Sequence, residues 1–230
     1  MRHAKSSSYG RRAAFVVLVL VAAGLLFWAS WRPGDATQAS GAAQGASAAA
    51  APSVTAEATR AASAPAARFV RRPIVPTRVR FPAIGVDTTV EHRGTVHYIN
   101  AFTGQPVEGY GVPTSMRTTS WWSDGPRPGS GQMAVILGHT QVGGYGVFNR
   151  LGTLRAGEPV YLQDAAGDTF RLQVLGAPLT GLDKSTSALA DALDGHPANA
   201  AVAFVTCGGR FDQSVRQSEE NVVVFASLAP

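Results

Sequence analysis

The sequence contains very little cysteine: Cys207 is the only one among 230 residues. A single cysteine cannot form a disulfide within the chain, and an idle thiol is unusual in an oxidising compartment outside the cell. Two interpretations remain. The thiol is a reactive group, or it is a buried and inert side chain, because free cysteine is among the residue types that are most often buried. The cysteine count alone does not decide between them.

Clustered metal ligands are also absent from the sequence. A zinc site needs three or four ligands at characteristic spacing, whereas this chain combines one cysteine with five scattered histidines, one of them in the N-terminal tail. We therefore expect no bound metal and no cofactor.

Excess positive charge is missing from the larger, C-terminal part of the chain. Residues 1–72 contain 9 Lys and Arg against 2 Asp and Glu, whereas residues 73–230 contain 11 against 13. A nucleic-acid-binding domain is expected to carry a basic face of its own. The distribution argues against nucleic acid as a partner and indicates that the basic N-terminal region sets membrane topology or contacts anionic lipid or wall polymer.

Residues 13–31 form one uncharged apolar run. As a helix with ~1.5 Å rise per residue it spans roughly 28 Å, close to the hydrocarbon thickness of a bilayer. The tail, residues 1–12, holds four basic residues and no acidic one, which predicts a cytoplasmic tail and a single-pass protein with its remainder outside the cell membrane. We favour an uncleaved anchor over a signal peptide because the run is long and ends in Trp28 and Trp31.

Residues 32–76 differ in composition from the rest of the chain: residues 33–68 contain 16 alanines and almost no large apolar side chain. Glycine and proline interrupt any helix, and no apolar stripe is present for packing. The composition predicts a disordered linker with a random-coil span of roughly 35–40 Å.

Residues 77–230 show short apolar runs separated by turn residues, which is typical of β-strands. The predicted strands are residues 77–81, 85–90, 95–98, 133–137, 158–162, 169–175, 201–206 and 222–226, with a hairpin turn at 164–168. One helix is predicted at residues 186–193 and a single turn at 147–151. With no alternation of strands and helices, the pattern predicts a mainly β domain that forms a closed or nearly closed barrel.

Two of these strands run directly into a reactive side chain. In MAVILGHT the strand ends at Gly138, His139 and Thr140, and in AAVAFVTCGG it ends at Thr206, Cys207 and two glycines. Rigid strands can hold two side chains in a fixed geometry, and glycine allows a substrate backbone to approach closely.

A cysteine beside a histidine has a definite chemical use. An imidazolium favours the thiolate, which attacks a carbonyl to form a thioester, while the imidazolium donates its proton to the departing amine. The remaining histidines lack a strand-end glycine setting and are interpreted as surface or turn residues. The sequence thus predicts Cys207 as a nucleophile and His139 as its proton-transfer partner.

The segment ILGHT, followed 68 residues later by VTCGG and then by NVVVFA, resembles the sortases. It is more specifically similar to the class F sortases of high-GC Gram-positive bacteria. Supporting stretches are VRFPAIGVDTTV, SWWSDGPRPGSGQMAVILGHT and GVFNRLGTLRAGEPVYL, so the resemblance covers about residues 77–227. It implies an eight-stranded barrel with an active-site groove between strand ends, and we expect a monomer.

The resemblance also implies a function. The family cleaves an LPXTG-like sorting signal of secreted proteins between Thr and Gly, and it transfers the acyl group to an amine of a cell-wall precursor or a pilin lysine. Cys207 matches the family's nucleophile, His139 matches its histidine, and Thr206 matches the residue before the cysteine.

The third catalytic residue departs from the family pattern. The family normally has an arginine about 12 or 13 residues past the cysteine, which stabilises the oxyanion, but here those positions are Glu219 and Glu220. Arg216 and Arg210 are the nearest arginines, and Arg216 is the predicted replacement. The predicted substrate-binding residues are Thr206, Gly138, Thr140 and Arg210.

Two other functions compete. A carboxylate near the thiol would oppose thiolate formation, which favours a sortase-fold binding protein with impaired catalysis. An L,D-transpeptidase also pairs Cys with His, but its Ser-any-Gly-Cys and His-Gly motifs do not occur here. Trp121 and Trp122 are interpreted as core residues in preference to groove-lining ones.

Overall fold

The computed structural model describes residues 68–230. The predicted basic tail, the predicted anchor and the predicted linker up to residue 67 lie outside the described residues. Between residues 68 and 230, none of the helices has the length and apolar character that a membrane crossing requires.

The described chain contains twelve strands and one α-helix. In chain order they are β1 Arg68–Phe69, β2 Arg78–Phe81, β3 Val86–Arg93, β4 Thr95–Ile99, β5 Pro106–Tyr110, β6 Thr119–Trp122, β7 Ala134–Gly138, β8 Pro159–Gln163, β9 Asp168–Val174, β10 Leu179–Asp183, α1 Ala188–Asp194, β11 Val202–Asp212 and β12 Gln217–Leu228. Short 3-10 turns follow β2 at Pro82–Ile84 and precede β8 at Leu151–Thr153.

Eight strands close into a barrel in the order β9-β8-β2-β3-β6-β7-β11-β12. Pairing of β12 with β9, with Ala226 opposite Val174 and Leu228 opposite Leu172, completes the ring. Outside the ring, β1 adds in parallel to β9 and β10 adds antiparallel to β12, while β4 and β5 form a separate hairpin.

The barrel interior is filled by apolar side chains from all eight strands. Phe81 packs edge-on against Phe148 and Phe204, with ring centroids 5.6 and 4.8 Å apart. Such contacts add to the burial of large apolar surfaces, which is the main favourable term in folding.

A second apolar cluster covers the outer face of β7, β11 and β12. Leu189 and Leu193 of α1 pack there against Val135, Leu137 and Val205. The three strands are therefore buried on both faces, which explains why their sequences are continuous apolar runs and not alternating ones.

The predicted mainly β fold with a closed eight-stranded barrel is confirmed, but the predicted strands are not the same eight. Residues 95–98 belong to the separate hairpin, and their place in the barrel is taken by β6, which the sequence did not indicate. Two of the four β6 residues are polar. Thr119 and Ser120 are buried because their hydroxyls donate to the backbone carbonyls of Thr89 and Gly111.

Trp121 and Trp122 contact opposite sides of the barrel wall. Trp121 lies in the interior cluster and donates from Nε1 to the Pro126 carbonyl at 3.1 Å. Trp122 packs on the outer cluster and donates from Nε1 to the Thr95 hydroxyl at 3.0 Å.

Residues 68–76, which precede the predicted start of the β domain at residue 77, pack against the barrel. Strand β1 pairs with β9, and both Arg68 and Arg72 form ion pairs with the buried carboxylate of Asp168. Ile74 is buried in the interior cluster.

Candidate active site

Strands β7 and β11 lie side by side in parallel, although 68 residues separate their reactive side chains. The last recorded pair joins Leu137 to Val205. His139 lies two residues beyond Leu137, and Cys207 lies two residues beyond Val205. Because adjacent parallel strands are ~4.8 Å apart, the register brings His139 and Cys207 to the same level of the sheet.

The Cys207 side chain faces the outer side of the barrel wall. It belongs to the outer cluster with Val205 and Leu137, while the intervening Phe204 belongs to the interior. Alternation along a strand gives His139, two residues after Leu137, the same outward direction. Cys207 is 5% exposed and His139 is 4% exposed, so both groups are largely shielded from water.

The two ring nitrogens of His139 have different surroundings. Nε2 lies 2.8 Å from the Pro113 carbonyl oxygen, and because a carbonyl only accepts, Nε2 carries the hydrogen. Nδ1 is buried and has no hydrogen-bond partner among the described residues. In a neutral ring Nδ1 therefore holds the lone pair that can accept a proton.

Burial also favours the neutral form of His139. It lowers the pKa of His139 below the usual value of 6.5, and the opposing effects of the Pro113 hydrogen bond and the charge of Glu91 are smaller. Burial raises the pKa of Glu91 itself, but hydrogen bonds from Thr118 and Thr114 outweigh it and hold that carboxyl below its ordinary range. Burial thus keeps the imidazole neutral, while the charge of Glu91 acts on it in the opposite direction.

The predicted substrate-binding residues near the two strand ends have structural partners. The Thr206 hydroxyl donates to the Gly138 carbonyl at 2.7 Å, and the Thr140 hydroxyl donates to the Cys207 carbonyl at 3.2 Å. A Cβ on Gly138 would lie 2.4 Å from the Phe148 ring. These residues hold β7 and β11 in register, and the absence of a Gly138 side chain makes room for Phe148.

The structure does not bring either candidate arginine to Cys207. Arg216 is exposed in the turn between β11 and β12. Since Cys207 pairs with Asn221, Arg216 lies five residues further along the strand, roughly 17 Å away. Arg210 follows a one-residue bulge in β11 and forms an ion pair with Glu219 at 2.8 Å.

A different cation reaches the sulfur. Lys184, directly after β10, places Nζ 3.2 Å from Cys207 Sγ and is 1% exposed. The sequence analysis did not single out this residue, because its position depends on the pairing of β10 with β12. One signal was present: the chain has 18 arginines but only two lysines, and Lys184 is the only lysine beyond residue 5.

Asn221 is the second residue that the sequence analysis did not assign to the site. It pairs with Cys207 across β11 and β12, and it is 0% exposed. Both side-chain atoms, Oδ1 and Nδ2, lack a hydrogen-bond partner among the described residues. An unsatisfied buried amide is costly, and a functional role is one of the reasons that a native fold retains such a group.

The two carboxylates at the expected arginine position have partners of their own. Glu219 is neutralised by Arg210. Glu220 accepts a hydrogen bond from the Gly181 amide at 3.1 Å and lies against Gly209. Between residues 68 and 230 there is no cluster of three or more side chains suited to hold a metal ion.

The chain is similar to known proteins both in a family model and in solved structures. The family model of the sortase domain matches residues 79–229. No curated protein matches the chain. Among solved structures, a lid mutant of sortase A from Corynebacterium diphtheriae is similar at 17% identity and a TM-score of 0.47, with 69% of this chain and 72% of that one covered.

Sortase C-1 from Actinomyces oris is similar at 19% identity and a TM-score of 0.46, covering 68% of this chain and 76% of that one. A Clostridium perfringens sortase D5 transpeptidase has 17% identity and a TM-score of 0.45, covering 66% and 78%. The family match spans well over half of the 230 residues and includes both His139 and Cys207. The protein belongs to the sortase family.

Proposed function

We propose that this protein is a sortase-type cysteine transpeptidase with Cys207 as the nucleophile and His139 as the general base and acid. Sortases as a family are cysteine transpeptidases. The observation that carries the proposal is the parallel pairing of β7 and β11, which places a proton-accepting imidazole nitrogen level with the chain's one thiol.

The first half of the reaction forms a thioester. His139 Nδ1 accepts the thiol proton, and the Cys207 sulfur attacks the scissile carbonyl carbon, so that the C–S bond forms as the carbonyl electron pair moves onto oxygen. The intermediate collapses, the C–N bond breaks, and the departing amine takes the proton from the His139 imidazolium. The result is an acyl-enzyme with a neutral histidine.

The second half transfers the acyl group. An incoming amine attacks the thioester carbon and gives up a proton to His139 as the C–N bond forms. The C–S bond then breaks, and the sulfur regains the proton from the imidazolium. Exclusion of water from the nearly buried pair favours aminolysis over hydrolysis of the thioester.

The narrower parts of the proposal are supported by the sequence. They are a class F-like enzyme of a Gram-positive cell, an LPXTG-like sorting signal on secreted proteins as acyl donor, and a cell-wall precursor or pilin lysine as acceptor. The apolar run at residues 13–31 supports a single-pass anchor with the barrel outside the membrane.

The test is cleavage of a fluorogenic LPXTG-type peptide by the full-length chain, with hydroxylamine as the acceptor amine. Cys207→Ala should lower turnover ~10³-fold or more, and His139→Ala by ~10²–10⁴-fold. Arg155→Met, which removes an exposed cation, is the matched control and should retain full turnover. Normal cleavage by both site variants would refute the assignment.

The competing binding-protein function loses its main support. It rested on negative charge beside the thiol, but Glu219 is paired with Arg210 and Glu220 is bonded to Gly181. A binding protein would retain the peptide without consuming it, which the same assay detects as fluorescence that stays constant with time.

A further inference from the structure

Lys184 carries a charge that the barrel buries almost completely. At 1% exposure, an ammonium loses nearly all its hydration, which costs several kcal/mol unless an anion compensates it. No carboxylate among residues 68–230 forms an ion pair with Lys184. The Lys184 ammonium instead donates to Cys207 Sγ at 3.2 Å. The group best placed to compensate the ammonium is a thiolate on Cys207.

The backbone around Lys184 is held from both sides. Its amide donates to the Glu219 carbonyl of β12 at 2.9 Å, and its carbonyl accepts from Asn100 Nδ2 at 3.0 Å. Asn100, at the tip of the β4–β5 hairpin, is itself fixed by hydrogen bonds from the amides of Phe102 and Thr103 to Oδ1. The side chain of Lys184 must then cross β12, which lies between β10 and β11, to reach the sulfur.

The amide of Asn221 is oriented by the sheet. Val223 and Phe225 of the same strand belong to the outer cluster, so alternation puts Asn221 on that face together with Cys207. Side chains directly opposite in an antiparallel pair have Cβ atoms about 4.5–5.5 Å apart. A carbonyl attacked by the sulfur therefore comes within reach of an amide N–H that has no acceptor among residues 68–230.

We propose that Lys184 is the counter-ion of the Cys207 thiolate and that Asn221 donates a hydrogen bond to the oxyanion, so that two residues replace the expected arginine. This inference rests on the proposed function and adds two catalytic residues to it. Asparagine side chains are established oxyanion donors, and lysine is a compact point charge on a flexible stem.

In the reaction Lys184 keeps its protons throughout. When His139 takes the thiol proton, negative charge appears on sulfur 3.2 Å from Nζ. Attack moves that charge from sulfur to the former carbonyl oxygen, where Asn221 Nδ2–H and the ammonium stabilise it. Collapse returns the electron pair to the C=O bond and expels the amine, which is protonated by His139.

Other charged groups near the site are compensated by their own partners. Glu219 pairs with Arg210, and Glu220 accepts from Gly181. Glu91 acts on His139 from β3 and accepts hydrogen bonds from two threonines. The Lys184 ammonium, in contrast, lies 3.2 Å from the sulfur.

The test uses the full-length chain with Lys184→Met, Lys184→Arg and Asn221→Leu, and two readouts. The first readout is the rate at which iodoacetamide alkylates Cys207. The rate at neutral pH is divided by the plateau rate at high pH, because this ratio cancels differences in how easily the reagent reaches the thiol. Since the chain has one cysteine, mass spectrometry reports that site alone. Lys184→Met should lower the ratio at least ~10-fold, Lys184→Arg should partly restore it, and Asn221→Leu should leave it unchanged.

The second readout is single-turnover acylation by the LPXTG-type peptide. Asn221→Leu and Lys184→Met should each slow acylation ~10²–10³-fold. Neither variant should lower the melting temperature, because Leu replaces a buried amide that has no partner among residues 68–230, and without the ammonium Cys207 can take the neutral thiol form. A purely structural role predicts the opposite: lower melting temperatures and little change in acylation per folded molecule.

The outcomes separate the two proposals. If the wild-type chain cleaves no peptide but Lys184→Met still lowers the alkylation ratio, the proposed function fails and the counter-ion role stands. An unchanged ratio in Lys184→Met overturns that role, even if cleavage occurs. Loss of acylation in Arg216→Ala with normal acylation in Lys184→Met would return the cationic role to the arginine. The control Arg155→Met should leave both readouts unchanged.

Discussion

The surroundings of His139 fix its tautomer and its charge in the form that the proposed mechanism requires. The Pro113 carbonyl fixes the hydrogen on Nε2, and burial favours the neutral ring. Protonation would place a second buried cation near Lys184, with Glu91 as the opposing charge. In the proposed mechanism the neutral histidine accepts the thiol proton, so the titration of His139 should limit activity at acidic pH.

The pH dependence of kcat/KM tests this arrangement. Because burial lowers the pKa of His139, the acidic limb should have its midpoint below pH 6.5. Glu91→Gln removes a charge that raises this pKa, and the limb should move to lower pH. The control is Asp87→Asn, which removes a carboxylate of β3, the strand of Glu91, that is paired with Arg78 of β2; this variant should not move the limb. A shift to higher pH in Glu91→Gln would contradict the electrostatic assignment.

The proposed reactive pair was predicted from the sequence, whereas Lys184 was not. Cys207 and His139 stand out because each follows a continuous apolar run, which a strand buried on both faces requires. Lys184 and Asn221 reach the site only through the pairing of β10, β12 and β11. Their local sequences carry no periodicity that indicates such a contact.

Among the elements, β1 is very short but contributes to an ion-pair cluster at the barrel wall. It has two residues, Arg68 and Phe69. Its pairing with β9 brings Arg68, and also Arg72 just beyond the strand, to the buried carboxylate of Asp168. Burial raises the pKa of Asp168, and the hydrogen bonds from the two arginines outweigh that effect and lower it below 3.8. The ion pairs thus stabilise the fold wherever this carboxyl is ionised.

Two truncated chains measure that contribution. A chain that begins at Ala67 keeps β1, whereas one that begins at Pro73 loses both arginines and leaves Asp168 uncompensated. The shorter chain should melt at a lower temperature. A lowered folded-state pKa means that the stabilisation is complete above pH 3.8 and is lost as pH falls below it. The difference in melting temperature between the two chains should therefore become smaller as the pH falls below 3.8. A pH-independent difference would show that lost packing, and not charge, is responsible.

Element prediction succeeded where burial and residue type agreed. The strands rich in Val, Ile and Phe were found, and helix α1 was found within two residues at its start. Strand β6 was missed because its polar Thr119 and Ser120 are satisfied by backbone carbonyls from other elements. Strand β10 was missed because it is mostly exposed and contains a glycine with φ of 74°.

For the whole molecule, the sequence predicts attachment to a membrane by residues 13–31. The full-length chain should remain in the membrane fraction after an alkaline wash, because removal of ~19 apolar residues from hydrocarbon is strongly unfavourable. The chain that begins at Ala67 should be soluble and should cleave a soluble peptide at the same rate. Recovery of the full-length chain in the soluble fraction would contradict the anchor.

The position of β1 has a consequence for how such an enzyme would face its surroundings. Cys207 is level with Asn221, and β12 runs from there to Ala226, beside Val174 of β9. Following β9 from Val174 towards its first residue leads to Asp168, which pairs with Arg68 of β1. The path is roughly 37 Å of strand, or about 28 Å along the axis of a barrel with ~40° tilt.

The chain thus enters the barrel at the pole opposite its thiol. With the proposed anchor and the predicted disordered linker, the barrel would be tethered at that pole without a fixed orientation, and the thiol would lie about the length of the barrel away from the point of attachment. A sorting signal could then reach the thiol without passing the linker, because the tether and the proposed active site would occupy opposite poles.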